Sequence, residues 1–280
     1  MQDTWQSSLG AGQRQSTREN TVPFQLPIIA TLAAGAMMLA TPAMAEQKPT
    51  VVLVHGAFAD SSSWNGVIGT LEADGYPVVA AANPLRSVKG DARSVSGLLS
   101  TIAGPVVLVG HSYGGAVISA AANGHDNVKA LIYVAAFAPD EGETAIGLSG
   151  KFPGGTLGEA LAAPVALPDG GSDFYIDQAK FHDQFAADVP KAEAALMAAG
   201  QRPIAEAALK EPAGAPAWKS KPSWFVYGDA DKNIPAAALG WMAERAGSKE
   251  TVVVKGGSHV IMVSHPEDVA RLIEKAAGNT

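Results

Sequence analysis

The 280-residue sequence contains no cysteine. This absence excludes disulfides, thiolate metal sites and a cysteine nucleophile, but it leaves the compartment open because disulfide-free proteins occur on both sides of membranes. The sequence also lacks a basic stripe: 20 Lys and Arg against 27 Asp and Glu give a formal net charge of -7 at pH 7. Without such a stripe to neutralise phosphates, we do not expect nucleic acid as a partner.

Charged residues are scarce, at 17%, whereas hydrophobic residues reach 47%. This composition is too apolar for a disordered chain and indicates a globular domain with a buried core. No period of about 20 to 50 residues is repeated, which argues against a solenoid. One large α/β domain can account for the length.

One long apolar run lies near the N-terminus. Leu26–Leu39 is apolar, arginines precede it, and a small-residue A-x-A pattern ends at Ala45. This arrangement is typical of an export signal. We therefore predict that residues 1–45 are cleaved off and that residues 46–280 act in the periplasm or outside the cell, with no stable membrane partner. The alternative is an uncleaved anchor over residues 26–45, which is close to the ~20 residues of a spanning helix.

Six short runs rich in β-branched residues predict strands. They do not alternate with polar residues, so both faces of each strand are expected to be buried, as in a parallel sheet covered by helices. The runs are Thr50–Val54, Val78–Ala81, Val106–Val109, Ala130–Val134, Ser223–Tyr227 and Thr251–Val254. Helix-compatible segments lie at Trp64–Asp74, Asp91–Ile102, Gly114–Asn123, Ala236–Ala246 and Pro266–Ala277. We therefore predict a doubly wound, mostly parallel α/β sheet.

Residues 139–216 interrupt this alternation and are here named the cap segment. The segment is rich in Pro and Gly, has helical patches at Ala179–Ala187 and Lys191–Ala199, and contains no convincing buried strand. Because it follows the fourth strand, we expect it to cover the carboxyl edge of the sheet, where ligands of open α/β sheets bind. The alternative is that the cap segment is a surface insertion with no role in ligand binding. The aromatic residues expected to line an apolar pocket are Phe152, Phe174, Tyr175, Phe181 and Phe185.

The third predicted strand runs directly into a G-x-S-x-G pentapeptide, Gly110–Gly114, and a helix-compatible stretch follows. In a nucleophile elbow the serine lies on a strained turn, and the glycines allow the close backbone approach that this turn needs. The pentapeptide alone is a weak signal, but its place between a strand and a helix makes Ser112 the candidate nucleophile.

A serine nucleophile needs a general base, for which six histidines are available. His259 is the candidate because it follows the last predicted strand, at the edge of the sheet where Ser112 is expected. His265 directly precedes a proline and is interpreted as the entry to the final helix. His55 and His111 are interpreted as structural supports.

Two carboxylates that could orient the base follow the fifth predicted strand. Asp231 lies further along the loop and can reach towards His259, so it is the candidate orienting acid. Asp229 lies closer to the strand and suits a turn in which it accepts backbone N–H groups. Asp140, after the fourth strand, is a third possibility.

The oxyanion of a tetrahedral intermediate needs preorganised N–H donors. The turn after the first strand, His55–Ala57, offers the N–H of Ala57, since Gly56 allows a tight turn there. The second expected donor is the N–H of Tyr113, which follows the nucleophile. No metal or organic cofactor is implied.

Together these residues resemble the α/β-hydrolase superfamily over residues 50–278, with nucleophile, acid and base in the order Ser112, Asp231 and His259. Within the superfamily the chain is similar to the group of methylesterases and hydroxynitrile lyases. The blocks that carry this similarity are Val52–Ala57, Val109–Gly115, Ala135–Asp140 and Asp231–Pro235.

Two positions separate the chemistries of that group. Its hydroxynitrile lyases carry Thr at the position of Gly56 and Lys at the position of Val260, so both residues favour the esterases. The resemblance therefore implies cleavage of a small-molecule ester through an acyl-enzyme on Ser112. Haloalkane dehalogenases and epoxide hydrolases are excluded because their elbow carries Asp there. A cofactor-free haloperoxidase or perhydrolase, and a non-catalytic binder of a small ligand, remain as alternatives.

Overall fold

The computed structural model describes residues 48–168 and 170–279. The predicted export signal or anchor, residues 1–45, lies outside the described residues. Within the described ranges, no helix has the length and apolarity that crossing a membrane would require.

The runs of β-branched residues form the central sheet. The described residues contain the strands β1 (Thr50–Val54), β2 (Val78–Ala81), β3 (Val106–His111), β4 (Val128–Val134), β5 (Val165–Ala166), β6 (Ser172–Phe174), β7 (Ile204–Ala205), β8 (Ser223–Gly228) and β9 (Thr251–Val254). Six of them form one sheet in the order β2-β1-β3-β4-β8-β9, and every pairing is parallel. All six predicted strands belong to this sheet, so the predicted fold class is confirmed.

Helices connect the strands and cover the sheet. They are α1 (Asn65–Ala73), α2 (Val88–Leu99), α3 (Tyr113–Ala121), α4 (Ala145–Ser149), α5 (Leu157–Ala160), α6 (Gln178–Phe185), α7 (Lys191–Gly200), α8 (Glu206–Lys210), α9 (Ala236–Arg245), α10 (Ile261–Ser264) and α11 (Pro266–Ala277). Helix α1 packs against α11, and α2 packs against α3. Pro266 opens α11, where its missing N–H has no intrahelical partner to lose.

The parallel register brings the strand ends together at one edge. Val54, the last residue of β1, pairs with Gly110 of β3, and Gly228 of β8 pairs with Val254 of β9. Because all strands of a parallel sheet point the same way, the loops after β1, β3, β8 and β9 leave from the same edge. The fold therefore gathers the four sequence segments that carry the candidate site residues.

The cap segment contains helices α4 to α8, with α6 and α7 at the two predicted helical patches. It also contains a small antiparallel sheet in the order β5-β6-β7, where no convincing strand is predicted from the sequence. The difference has a physical reason. These strands are two or three residues long and β5 is exposed, so they leave no buried apolar run to recognise.

Candidate active site

Ser112 lies in a sharp turn between β3 and α3. Its backbone adopts φ 53° and ψ -122°, a strained conformation for a residue with a side chain. Three hydrogen bonds hold this turn: Ser112 donates its N–H to the carbonyl of Val134, and its own carbonyl accepts from the N–H groups of Gly115 and Phe137. The turn therefore has the strain and the fixed backbone of a nucleophile elbow.

Two positions around this turn require glycine. A β-carbon on Gly110 would lie 2.6 Å from the carbonyl oxygen of Gly114, and a β-carbon on Gly114 would lie 2.5 Å from the carbonyl oxygen of Val54. Neither distance is compatible with a normal side chain. The start of α3 thus packs directly on the ends of β1 and β3, which sets the height of Ser112 above the sheet.

Asp231 and His259 form a buried hydrogen-bonded pair. Nδ1 of His259 donates to Oδ2 of Asp231 over 2.7 Å, and the side chains are 1% and 0% exposed, respectively. The second carboxylate oxygen, Oδ1, accepts the backbone N–H groups of Asn233 at 2.8 Å and Ile234 at 3.0 Å. Both oxygens of Asp231 are therefore engaged, and the carboxylate holds the imidazole in one orientation.

The proton on Nδ1 leaves the lone pair of a neutral His259 on Nε2. That nitrogen is buried and has no hydrogen-bond partner in the part of the chain that the structure describes. Ser112 lies at the same sheet edge, but because Nε2 has no partner, Ser112 makes no hydrogen bond to it. Hydrogen bonds of catalytic bases often tighten only when substrate is bound, so this geometry is compatible with a nucleophile and base pair.

His111 links the elbow to the His259 loop. Its Nε2 donates to the backbone carbonyl of His259 over 3.1 Å, and the two rings are 4.9 Å apart. Burial lowers the pKa of His111 well below its ordinary value. The ring is therefore neutral and acts as a structural support, as interpreted from the sequence.

The other candidate side chains have different partners. Asp229 accepts a backbone N–H, as expected, but the donor is Gly256 at 2.6 Å, which lies in the turn after β9 and not in the turn of Asp229 itself. Asp140 is paired with Lys219 at 2.5 Å, and the hydrogen bond from this lysine lowers the pKa of Asp140. His265 lies at the N-cap of α11. None of the three contributes a hydrogen bond to His259.

The two expected oxyanion donors lie beside the elbow. Tyr113 is the first residue of α3, where a backbone N–H has no acceptor within the helix. A β-carbon on Gly56 would lie 2.6 Å from Cβ of Ser112, so the turn after β1 packs directly on the elbow. Phe58 donates its N–H to the carbonyl of Arg202, whereas the N–H of Ala57 has no backbone acceptor among the described residues.

A cavity of about 150 Å³ lies next to Ser112. Its walls come from the turn after β1, the elbow, the loop of Asp231 and the cap segment, and none of its lining residues carries a charge. Ile146, a lining residue that is 49% exposed, marks the opening to solvent. The cap segment contributes Ile146, Ser149, Leu157, Gly158, Leu161, Phe174 and Leu209.

The aromatic lining expected of the cap segment is largely wrong. Of the five aromatic residues, only Phe174 lines the cavity. Phe181 and Phe185 are completely buried, and the Phe185 ring lies 5.2 Å from the ring of His259. Phe152 packs against Trp241 with 5.8 Å between ring centroids. These rings pack the cap segment on its surroundings, and aliphatic residues form most of the part of the cavity wall that the cap segment contributes.

Gln184 is a site residue that the sequence did not reveal. Its amide donates to Oδ1 of Asn233 at 2.8 Å and to the carbonyl of Lys232 at 3.0 Å, and its carbonyl accepts from Thr156 at 2.8 Å. Because Asn233 also donates its N–H to Asp231, helix α6 of the cap segment is hydrogen-bonded to the loop of the candidate acid. A single glutamine in a helix gives no sequence signal for such a contact.

A second buried contact lies behind the elbow. Tyr113 donates its hydroxyl to Oδ2 of Asp91 at 2.9 Å, and burial raises the pKa values of both groups. Asp91 also accepts the backbone N–H of Arg86, whose guanidinium binds Asp173 of the cap segment at 2.6 Å. The elbow and the cap segment are therefore joined on this side as well.

The described residues bring together no group of three or more His, Asp or Glu side chains that could hold a metal ion. The carboxylate and imidazole at the candidate site are bonded to each other. The polar groups there are arranged for proton transfer and for stabilising negative charge, which are the functions of an acyl-transfer site.

The chain is similar to known proteins over most of its length. The profile of the Alpha/beta hydrolase family matches residues 51–272. A pimeloyl-[acyl-carrier protein] methyl ester esterase of Aeromonas hydrophila is 29% identical over 249 residues, 83% of this chain and 96% of the relative. An alpha-hydroxynitrile lyase of Arabidopsis thaliana is 25% identical over 246 residues, 79% of this chain and 94% of the relative.

Among solved structures, polyneuridine aldehyde esterase superimposes with a TM-score of 0.72, covering 82% of this chain and 99% of that protein. At 19% identity this match shows a shared fold. The resemblance to the group of esterases and hydroxynitrile lyases, inferred from four short blocks, is thus confirmed over most of the chain.

Proposed function

The chain belongs to the alpha/beta hydrolase family, and from this premise we propose that it is a serine esterase that hydrolyses carboxylic esters of small apolar or aromatic substrates. Its homologues include esterases, which agrees with a carboxylesterase-like enzyme. The observation that carries the proposal is the buried pair of Asp231 and His259, located at the same sheet edge as the strained Ser112.

In the proposed mechanism, Ser112 attacks the acyl carbon while Nε2 of His259 takes its proton. Asp231 keeps the imidazole in the tautomer that this step needs and stabilises its charged form. The backbone N–H groups of Ala57 and Tyr113 stabilise the oxyanion. His259 then returns its proton to the leaving alcohol, and water releases the acyl group by the same steps in a second half-reaction.

The cavity supports an uncharged substrate. No Lys, Arg, Asp or Glu lines it, so a charged acyl group would lose its hydration without gaining a partner. Its volume of about 150 Å³ suits a short acyl or aryl group. The relative from Aeromonas hydrophila is by name a methyl ester esterase. We propose that the acyl group of a small neutral ester occupies this cavity.

Gly56 and Val260 favour ester hydrolysis over lyase chemistry. The resembled lyases carry Thr and Lys at these positions. In this protein a β-carbon on Gly56 would lie 2.6 Å from Cβ of Ser112, so a threonine would not fit without a shift of the elbow. Val260 is buried and apolar, so it cannot supply the charge of a lysine.

The decisive experiment compares alanine substitutions of two serines, with hydrolysis of p-nitrophenyl butyrate as the assay. We expect Ser112→Ala to lower kcat by about 10⁴-fold or more, because the nucleophile is lost. The control is Ser119→Ala: Ser119 lies in α3, the helix that follows Ser112, and its hydroxyl bonds the Gly115 carbonyl and the Tyr133 hydroxyl. It should keep near-normal turnover. Retention of wild-type rates by the purified Ser112 variant would rule out the mechanism.

A substrate panel then tests the acyl class. Uncharged esters with acyl chains from acetyl to decanoyl, a benzoate and a succinate monoester should show a preference for short neutral acyl groups. A preference for the succinate ester would contradict the uncharged cavity as the acyl site. Faster peracid formation than ester hydrolysis, with acetate and hydrogen peroxide supplied, would instead support the perhydrolase alternative.

We also propose that the protein is exported and that its first 45 residues are removed. The proposal rests on the apolar run and on the A-x-A pattern that ends at Ala45. Fractionation of expressing cells should find the protein outside the cytoplasm with Glu46 as its first residue. A full-length protein in the membrane fraction would support the anchor over residues 26–45 instead.

A further inference from the structure

The imidazole of His55 connects two backbone segments beside the elbow. Its Nε2 accepts the backbone N–H of Asn83 at 3.0 Å, and its Nδ1 lies 2.9 Å from the carbonyl oxygen of Gly56. Since Nε2 accepts, Nδ1 must carry the proton and donate to Gly56. The side chain of Asn83 donates to the carbonyl of His55 at 2.9 Å. His55 and Asn83 are both completely buried, so these bonds do not compete with water.

The carbonyl that His55 holds belongs to the peptide unit of Gly56 and Ala57. A trans peptide is planar, with its N–H directed opposite to its C=O. Fixing the oxygen of Gly56 therefore fixes the direction of the Ala57 N–H, the proposed oxyanion donor. Gly56 is also the residue whose absent β-carbon lets this peptide lie against Cβ of Ser112.

The environment favours the neutral ring that these bonds need. Burial lowers the pKa of His55, although its hydrogen bond to Gly56 acts in the opposite direction. A second proton on Nε2 would face the Asn83 N–H and break that bond. The next backbone N–H along the chain, that of Phe58, is also held in place. Phe58 has a φ of 60° and donates its N–H to the carbonyl of Arg202.

We propose that His55 is a positioning residue for the oxyanion hole: its Nδ1–H fixes the Gly56–Ala57 peptide so that the Ala57 N–H is aimed at the oxyanion that forms beside Ser112. This inference rests on the proposed esterase function. It assigns His55 a part in stabilising the transition state, without contact with the substrate.

Two amide substitutions separate this role from general structural support. In His55→Asn the side-chain amide nitrogen can occupy the place of Nδ1 and donate to Gly56, but the contact with Asn83 is lost. In His55→Gln the amide oxygen can reach the place of Nε2 and accept from Asn83, but the donor to Gly56 is lost. Each variant removes one of the two bonds, so their stabilities should be similar.

We expect His55→Gln to have a kcat about tenfold or more below that of His55→Asn with little difference in KM, since loss of a whole oxyanion donor costs about 10² to 10³ in kcat. The second measurement compares a trifluoromethyl ketone, which forms an oxyanion adduct with serine, and the matching methyl ketone. Affinity for the fluorinated ketone should fall in parallel with kcat/KM, whereas affinity for the methyl ketone should stay similar in both variants.

The possible outcomes separate this inference from the function on which it rests. If the wild-type protein neither hydrolyses esters nor binds the fluorinated ketone, the esterase proposal and this role both fail. If it does both, but the two variants lose equal activity or His55→Gln is the more active, only the role of His55 is overturned. Imidazole nitrogen NMR of the wild-type protein adds a check without mutation: Nδ1–H is expected, and an Nε2–H tautomer overturns the role.

Discussion

The carboxyl edge of the sheet and the cap segment border the same cavity but are built differently. At the sheet edge, the polar groups come from loops after parallel strands: Ser112 after β3, Asp231 after β8 and His259 after β9. The cap segment contributes an apolar wall from short helices and strands, including Phe174 and Leu209. The strand ladder places the candidate catalytic residues, whereas the cap segment lines the cavity beside them.

Polar contacts at many points join the two regions. Gln184 binds Asn233 at 2.8 Å, and Asp188 accepts from Ser264 at 2.7 Å. A contact inside the sheet edge should therefore control turnover directly. A contact that joins the regions should affect both stability and turnover, because it places the cap segment over the loop of Asp231.

The largest effect is expected within the sheet edge, at the two carboxylates that follow β8. Asp231→Asn should lower kcat by about 10⁴-fold, because the amide no longer holds His259 in the required tautomer. Asp229→Asn is the matched control: it weakens a bond to the N–H of Gly256, on a side chain without contact to His259. Steady-state kinetics with one ester compares them. A greater loss in the Asp229 variant would transfer the role of acid to Asp229.

A smaller effect is expected where the two regions meet. Gln184→Leu leaves Asn233 without its side-chain partner, which should cost about 1 to 3 kcal/mol of unfolding free energy and lower kcat/KM about tenfold through a shift of the acid loop. Gln201→Leu is the control, because Gln201 binds Ile176 and Ala198, both within the cap segment.

Urea unfolding and ester kinetics should show similar losses of stability in the two variants but a loss of kcat/KM only in Gln184→Leu. Equal kinetic losses would mean that the cap segment acts through its general stability and not through its bond to the acid loop.

The smallest expected effect is on the pH dependence of the unfolding free energy, to which titratable groups of the two regions contribute in different pH ranges. Burial lowers the pKa values of His55 and His111 at the sheet edge from 6.5. Below pH 6.5 the unfolded chain therefore binds more protons than the folded one. For this reason the unfolding free energy decreases as the pH is lowered. Burial alone would raise the pKa of Asp188 in the cap segment, but hydrogen bonds from Ser258 and Ser264 hold it below 3.8. The contribution of Asp188 to the unfolding free energy is therefore fully present above pH 3.8. It is lost only as the pH falls through the lowered pKa of Asp188 in the folded protein.

We therefore expect His111→Gln to lose about 1 kcal/mol less unfolding free energy than the wild type between pH 7 and pH 5.5, since one titrating group is removed. Urea unfolding at the two pH values measures this difference. An identical pH dependence in the two proteins would show that His111 is not held neutral in the folded state.

Local sequence patterns determined the sheet and the order of the candidate site. Unalternating β-branched runs mark strands that are buried on both faces, and all six predicted runs are strands of the central sheet. Parallel strands end at one edge, so residues placed directly after them are brought near one another whatever their separation in the chain. This is why Ser112, Asp231 and His259 could be proposed together from the sequence.

Only the tertiary structure decided how the cap segment meets that edge. Phe174 lines the cavity while Phe181 and Phe185 are completely buried, although all three are equally apolar in the sequence. The bonds of Gln184 to Asn233 and of His55 to Asn83 join residues 49 and 28 positions apart. Such contacts depend on the paths of irregular loops, which no local periodicity encodes because packing between distant segments selects them.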